Sequence, residues 1–160
     1  MTTSTWPCRI ALCALLQAAA PAAALTPNRS LSLRGGLDLP GAAPAAALAA
    51  GCWLDGELEA VAGLSLRAAR RPEVRAAAAV LSPSIGLRWA PDAGRWRPTA
   101  VAELGVQLRF AGRAAAAASA RLGVEWLTAR DAGLSAGLGL RWAEGRGTAA
   151  EAVLEATLYF

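Results

Sequence analysis

Seven arginines and six glutamates of this chain occupy alternate positions within segments of alternating polarity. They are Arg34, Glu57, Glu59, Arg67, Arg88, Arg97, Glu103, Arg109, Arg121, Glu125, Arg141, Glu151 and Glu155. Such a set could do chemistry in two ways. As paired carboxylates, Glu57 and Glu59 face the same way and could run glycosidase-like acid/base steps, although a same-face pair on one strand is a common arrangement. As ion pairs, the whole set could fill an enclosed polar space, because buried charges are tolerated only when paired. Other catalytic constellations lack their parts. The sequence has no histidine, so it has no Ser-His-acid triad. With Cys52 the one cysteine beyond the leader, no Cys/His metal cluster can form. Gly137 and Gly139 in AGLSAGLGL read as small residues on a crowded strand face, not as a nucleotide loop. No enzymatic activity, cofactor or metal is predicted.

An extended backbone would put these charges on one face. In Arg95 to Phe110, Trp96, Pro98, Ala100, Ala102, Leu104, Val106, Leu108 and Phe110 alternate with Arg95, Arg97, Thr99, Val101, Glu103, Gly105, Gln107 and Arg109. Period 2 over this length means strand, and the run is about twice the usual strand length of a soluble domain. Upstream, Ile85, Leu87 and Trp89 alternate with Ser84, Gly86 and Arg88, and Pro91-Asp92-Ala93-Gly94 supplies turn chemistry. Pairing Ala90 with Arg95 would set Trp89 opposite Trp96.

The same pattern recurs along the chain. Strands are predicted at Ser30–Leu39, Ala45–Trp53, Glu57–Arg67, Val74–Ala90, Arg95–Phe110, Ala114–Leu127, Ala132–Trp142 and Thr148–Phe160. Asp55-Gly56 is a two-residue hairpin signal, and pairing Leu54 with Glu57 would put Trp53 on the apolar face opposite Leu58. Pro83 should interrupt its strand with a bulge or a local break, because proline donates no ladder hydrogen bond. The alanine tracts at Arg75–Val80 and Ala114–Ala120 could form helix; the flanking alternation favours strand. Ala45–Trp53, mostly alanine, carries the weakest signal. Without it the count falls from eight to seven.

The 160 residues carry 16 arginines, no lysine and a net charge of +4. The arginines are scattered among acids and form no basic stripe, so nucleic acid is not an expected partner. No apolar run reaches the ~18 residues of a spanning helix. Arg9, the apolar stretch Ile10–Ala20 and Ala22-Ala23-Ala24 form an export signal with cleavage expected after Ala24. Residues 1–24 are thus read as signal peptide and 25–160 as one domain.

Eight antiparallel strands return both chain ends to one side, as single-chain outer-membrane barrels require. Trp53, Trp89, Trp96, Trp126 and Phe160 then fall at the rim shared with the chain ends. Phe110 and Trp142 fall at the opposite rim, and all seven share the apolar face: two aromatic girdles. The fold expected is all-β, an eight-stranded antiparallel up-and-down transmembrane barrel with an apolar exterior. A soluble lipocalin-like barrel with the apolar face inside is the alternative. In the membrane version the thirteen charges plug the lumen, or else line a narrow passage with a weak anion preference. Arg70, Arg71, Arg75, Arg113 and Arg146 fall near the outer rim, where guanidinium forks could meet lipopolysaccharide phosphates.

The terminal EAVLEATLYF, with Phe160, Leu158, Ala156 and Leu154 at alternate positions, resembles the C-terminal signature of bacterial outer-membrane β-barrel proteins. As a pattern, Ser30 to Phe160 is similar to the small eight-stranded barrels of the OmpA/OmpX type. The resemblance implies bacterial outer-membrane localisation, recognition of the last strand by the barrel-assembly machinery, contact with outer-membrane lipid, a monomer and a structural or interaction role. The outer loops here are short, unlike those of adhesive relatives.

Overall fold

The computed structural model describes residues 29–39, 43–70, 77–109 and 114–160. The expected signal peptide lies outside these residues, as do Arg71, Arg75, Phe110 and Arg113. The eight strands are β1 (Arg29–Leu39), β2 (Ala43–Trp53), β3 (Leu58–Arg70), β4 (Ala77–Trp89), β5 (Trp96–Arg109), β6 (Ala114–Ala129), β7 (Ala132–Ala143) and β8 (Gly147–Tyr159). Each pairs antiparallel with its neighbours in the chain, and β1 pairs with β8 to close the barrel. At the seam, Arg29 N donates to Phe160 O at 3.1 Å and Phe160 N to Arg29 O at 3.0 Å. The three alanine-rich stretches in question are strands where they are described: of Arg75–Val80, residues 77–80 open β4 and pair with β3. Ala43–Trp53 pairs on both edges, and Ala114–Ala120 pairs with β5.

Alternation decides which side is wet. Leu33, Ile85, Leu104, Leu122, Leu138 and Leu154 point outward and are each at least 64% exposed, whereas Glu59 and Glu125 are 0% exposed in the interior. A large apolar side chain gains about 1.5–3 kcal/mol on leaving water. A surface of two dozen such residues therefore cannot face water, and the polar interior rules out the soluble barrel with an apolar cavity. The wall belongs in hydrocarbon, where a closed barrel satisfies every backbone group.

Pro83 breaks the ladder without a bulge. Pairing of β4 with β5 stops after Leu81↔Leu108 and resumes at Ser84↔Gly105 in the same register. The one register irregularity among the described pairs lies between Leu127 and Ala129 on β6.

Two turns differ from the expected pairing. At Asp55, β2 ends at Trp53, β3 starts at Leu58, and Trp53 pairs with Glu59 instead of Leu58. The Asp55 carboxylate accepts from the backbone N–H of Glu57 (2.8 Å) and Leu58 (2.6 Å), and Leu54 N donates to Leu58 O at 2.8 Å. This side-chain-capped turn is longer than the two-residue hairpin and slips the register by one residue, which exchanges faces. Trp53 therefore joins the polar interior. At the next turn on this side, Trp89 pairs with Ala100, so Trp89 and Trp96 are not opposite each other. That offset is even, and both tryptophans stay outward, at 43% and 62% exposure.

Candidate functional site

The inward rows of seven strands, all but β2, bring twelve charges into the lumen as three clusters, each of two arginines and two carboxylates. The cluster nearest the chain ends joins β3, β4, β5, β6 and β8. Arg88 Nη2 donates to Glu125 Oε2 at 2.8 Å and to the Tyr159 hydroxyl at 3.1 Å, and its Nη1 reaches Glu59 Oε2 at 3.5 Å. Arg97 Nε donates to Glu125 Oε2 at 2.6 Å and its Nη2 to Tyr159 Oη at 2.6 Å. Tyr159 in turn donates to Glu125, and Ser30 to Glu59. The Arg97 guanidinium lies over the rings of Tyr159 (5.1 Å) and Trp53 (5.5 Å), which roofs the cluster with aromatic surface.

The middle cluster holds Arg34, Arg121, Glu103 and Glu155. Arg34 Nε donates to Glu155 at 3.0 Å and its Nη1 to Glu103 at 3.3 Å, while Glu103 also accepts from Arg121 Nη2 at 3.0 Å and from the Ser119 hydroxyl at 3.2 Å. The third cluster, toward the other end, holds Arg67, Arg141, Asp38 and Glu151. Arg67 donates to Asp38 and to Glu151 (3.1 Å), and Arg141 Nη2 to Asp38 Oδ2 at 2.9 Å.

Room for these long side chains comes from small neighbours. A Cβ on Gly51 would collide with the Glu59 carboxylate, one on Gly133 with Glu125, and one on Gly139 with the Arg121 side chain. Gly139 thus has the crowded inward position expected of it; at Gly137 a Cβ would lie 2.8 Å from the Leu122 carbonyl.

Of the thirteen expected lumen charges, eleven are in these clusters. Glu57 is not. The Asp55 turn lifts it out of the strand, where it is exposed and accepts from Trp89 Nε1 at 3.2 Å. Arg109 closes β5 opposite Val80. Two members lie beyond the thirteen expected charges. Asp38 has the right parity but is the penultimate residue of β1, and Tyr159 shares the polar row with Glu155 and Thr157.

Among the aromatics, Trp89, Trp96, Trp126, Trp142 and Phe160 are outward and 41–62% exposed. Trp96 pairs with Trp126 and stacks on it, centroids 5.8 Å apart and planes at 15°. Trp53 is the exception, turned inward against Tyr159 at 6.4 Å. Of the arginines proposed for the outer rim, Arg146 is exposed in the β7–β8 turn, and Arg70 ends β3 on the same side. Outside the strands, Asp55 is held below the usual carboxylate range by the backbone N–H groups of Glu57 and Leu58.

No protein-family model and no curated protein matches the sequence. Solved structures do. Neisserial surface protein A aligns with a TM-score of 0.62 at 11% identity, over 82% of this chain and 94% of that one. The N-terminal β-barrel domain of Pseudomonas aeruginosa OprF gives 0.60 at 14% identity, over 85% and 100%. The outer membrane enzyme PagL gives 0.52 at 10% identity, over 82% and 98%. The fold is therefore that of the small eight-stranded outer-membrane barrels. Its polar inside and apolar outside are those of a membrane barrel.

Proposed function

We propose that this chain is a bacterial outer-membrane barrel with a structural or interaction role, and that its lumen is a charge-neutral plug. The observation that carries this reading is the cluster nearest the chain ends. Glu59 and Glu125 there are 0% exposed and Arg88 is 3% exposed. Paired charges so fully screened from solvent support a closed lumen, and eight strands enclose little more than their own side chains. The alternative, a narrow pore for small polar solutes, requires this cluster to part.

The same reading takes residues 1–24 as the export signal and the last strand, ending in Phe160, as the segment presented to the barrel-assembly machinery. The domain 25–160 sits as a monomer in outer-membrane lipid. The rim arginines Arg70, Arg71, Arg75, Arg113 and Arg146 are offered to lipopolysaccharide phosphates. Arg70→Ala with Arg71→Ala should weaken lipopolysaccharide association; unchanged association and unchanged detergent-free folding would remove that contact from the proposal. No catalytic role is assigned: each lumen carboxylate is held by at least one arginine in a structural ion pair.

The test is planar-bilayer conductance of protein that shows a heat-dependent shift in SDS gel mobility and fractionates with the outer membrane. Folded protein should leave the bilayer electrically silent. Steady single-channel openings would overturn the plug, and a soluble periplasmic protein without a mobility shift would overturn the membrane barrel.

A further inference from the structure

The plug is not uniformly filled. Between the middle cluster and the third one lies a cavity of about 70 Å³, in the half of the lumen away from the chain ends. Small inward residues make the space, Ala47, Gly63, Ser65 and Gly105 among them. Its charged wall has four guanidiniums, from Arg34, Arg67, Arg121 and Arg141, against two carboxylates, from Glu103 and Glu151. Asp38 and Glu155, which pair with three of those arginines, do not line it.

Two buried polar atoms of this wall have no partner, the only such side-chain atoms among the described residues. They are Arg141 Nε, a donor, and Gln107 Oε1, an acceptor on a residue 2% exposed. A buried polar group left unpaired costs about 1–3 kcal/mol, so each invites a ligand atom. A guanidinium carries five N–H donors, of which Arg141 and Arg121 each place one on a cluster carboxylate. The chamber is donor-rich, cationic at its surface and still in need of one donated hydrogen bond. A water takes up about 30 Å³ in the liquid, so a cavity of about 70 Å³ has room for one small polyatomic ion and no more.

We propose that this chamber binds one small protonated oxyanion, of which inorganic phosphate is the fitting example. Its oxygens accept from Arg141 Nε and the neighbouring guanidiniums, and its P–OH donates to Gln107 Oε1. The planar fork of arginine suits this ligand. The inference deepens the reading of the lumen as closed at the chain-end side, since a ligand held in a blind chamber does not pass through.

The experiment is equilibrium dialysis of the folded, lipid-free barrel in neutral detergent against radiolabelled inorganic phosphate near pH 7, at constant ionic strength set with chloride. About one phosphate per chain is expected. Ala47→Met fills the chamber while keeping every arginine, and Arg141→Gln removes the unpartnered donor. Each should weaken binding at least tenfold. If one of them fails to fold, the other decides. Absence of binding to the unaltered protein, or equal binding by a folded Ala47→Met protein, overturns the proposal. A conducting barrel that still binds phosphate in this chamber would defeat the plug alone. A silent barrel that binds none would defeat the chamber alone.

Discussion

Removing Arg88 should cost more than removing any other lumen arginine, and the loss should be recoverable at a second position. Arg88 sits among Glu59 at 3.5 Å, Glu125 at 2.8 Å and the Tyr159 hydroxyl at 3.1 Å. In Arg88→Met, Glu125 keeps Arg97 at 2.6 Å. Glu59 keeps no arginine partner, only the Ser30 hydroxyl, and it is fully buried. Stranding a buried charge costs about 3–5 kcal/mol, and here the cost falls on Glu59. Glu59→Gln in the Arg88→Met background removes the stranded charge and should return more than half of it. The assay is reversible urea unfolding in lipid vesicles, read by tryptophan fluorescence and by SDS gel mobility, for the four members of the cycle. A single Arg88→Met substitution costing under about 1 kcal/mol would refute the reasoning. So would a double variant no more stable than the single one.

Leu122 stands mid-strand, 71% exposed, between Ala100 and Leu138 on the outer wall. Leu122→Arg should cost about 2–4 kcal/mol in vesicle unfolding if that wall meets the bilayer midplane, and close to nothing if it meets water. The stacked pair Trp96 and Trp126 should show a coupling of about 0.5–1.5 kcal/mol in a double-alanine cycle. For Asp55, the folded carboxyl lies below its usual value because Glu57 and Leu58 donate to it. A depressed folded pKa contributes stability that is present above the unfolded pKa and lost as pH falls through the folded one. Asp55→Asn should therefore flatten the loss of stability that the unaltered protein shows on acidification below about pH 4.

Much of the barrel could be read from the sequence because alternation is a local property. Each strand declares its two faces within a few residues, and Asp92, Gly94, Gly145 and Gly147 mark reversals that the backbone then makes, the three glycines at positive φ. What alternation cannot give is the phase between one strand and the next. At Asp55 the phase was set by one side chain capping two backbone N–H groups. That slip moved Trp53 from the outer wall to the lumen and Glu57 from the lumen to the turn. Nothing in the pattern of Leu58 to Arg67 distinguishes the two registers. The signal lay on β2: Leu48, of parity opposite to Trp53, takes the outer wall beside Leu64, and Gly51 leaves room for the Glu59 carboxylate, where any Cβ would collide.

The lumen charges resolve a second ambiguity of the same kind. A strand slipped by two residues keeps leucine outside and arginine inside, so hydrophobic patterning does not oppose it. The ion pairs do. Arg34 on β1 reaches Glu103 on β5, and Arg88 on β4 reaches Tyr159 on β8, pairs of strands on opposite sides of the barrel. Arg67 on β3 ties together Asp38 on β1 and Glu151 on β8 across the closing seam. A two-residue slip of any of these strands moves its charge by roughly 6–7 Å along the axis, far beyond hydrogen-bond reach, and strands a partner in a dry interior. Buried ion pairs contribute little net stability over apolar substitutes. Their value here is to fix the phases of the seven strands that carry them, β2 having no charged residue.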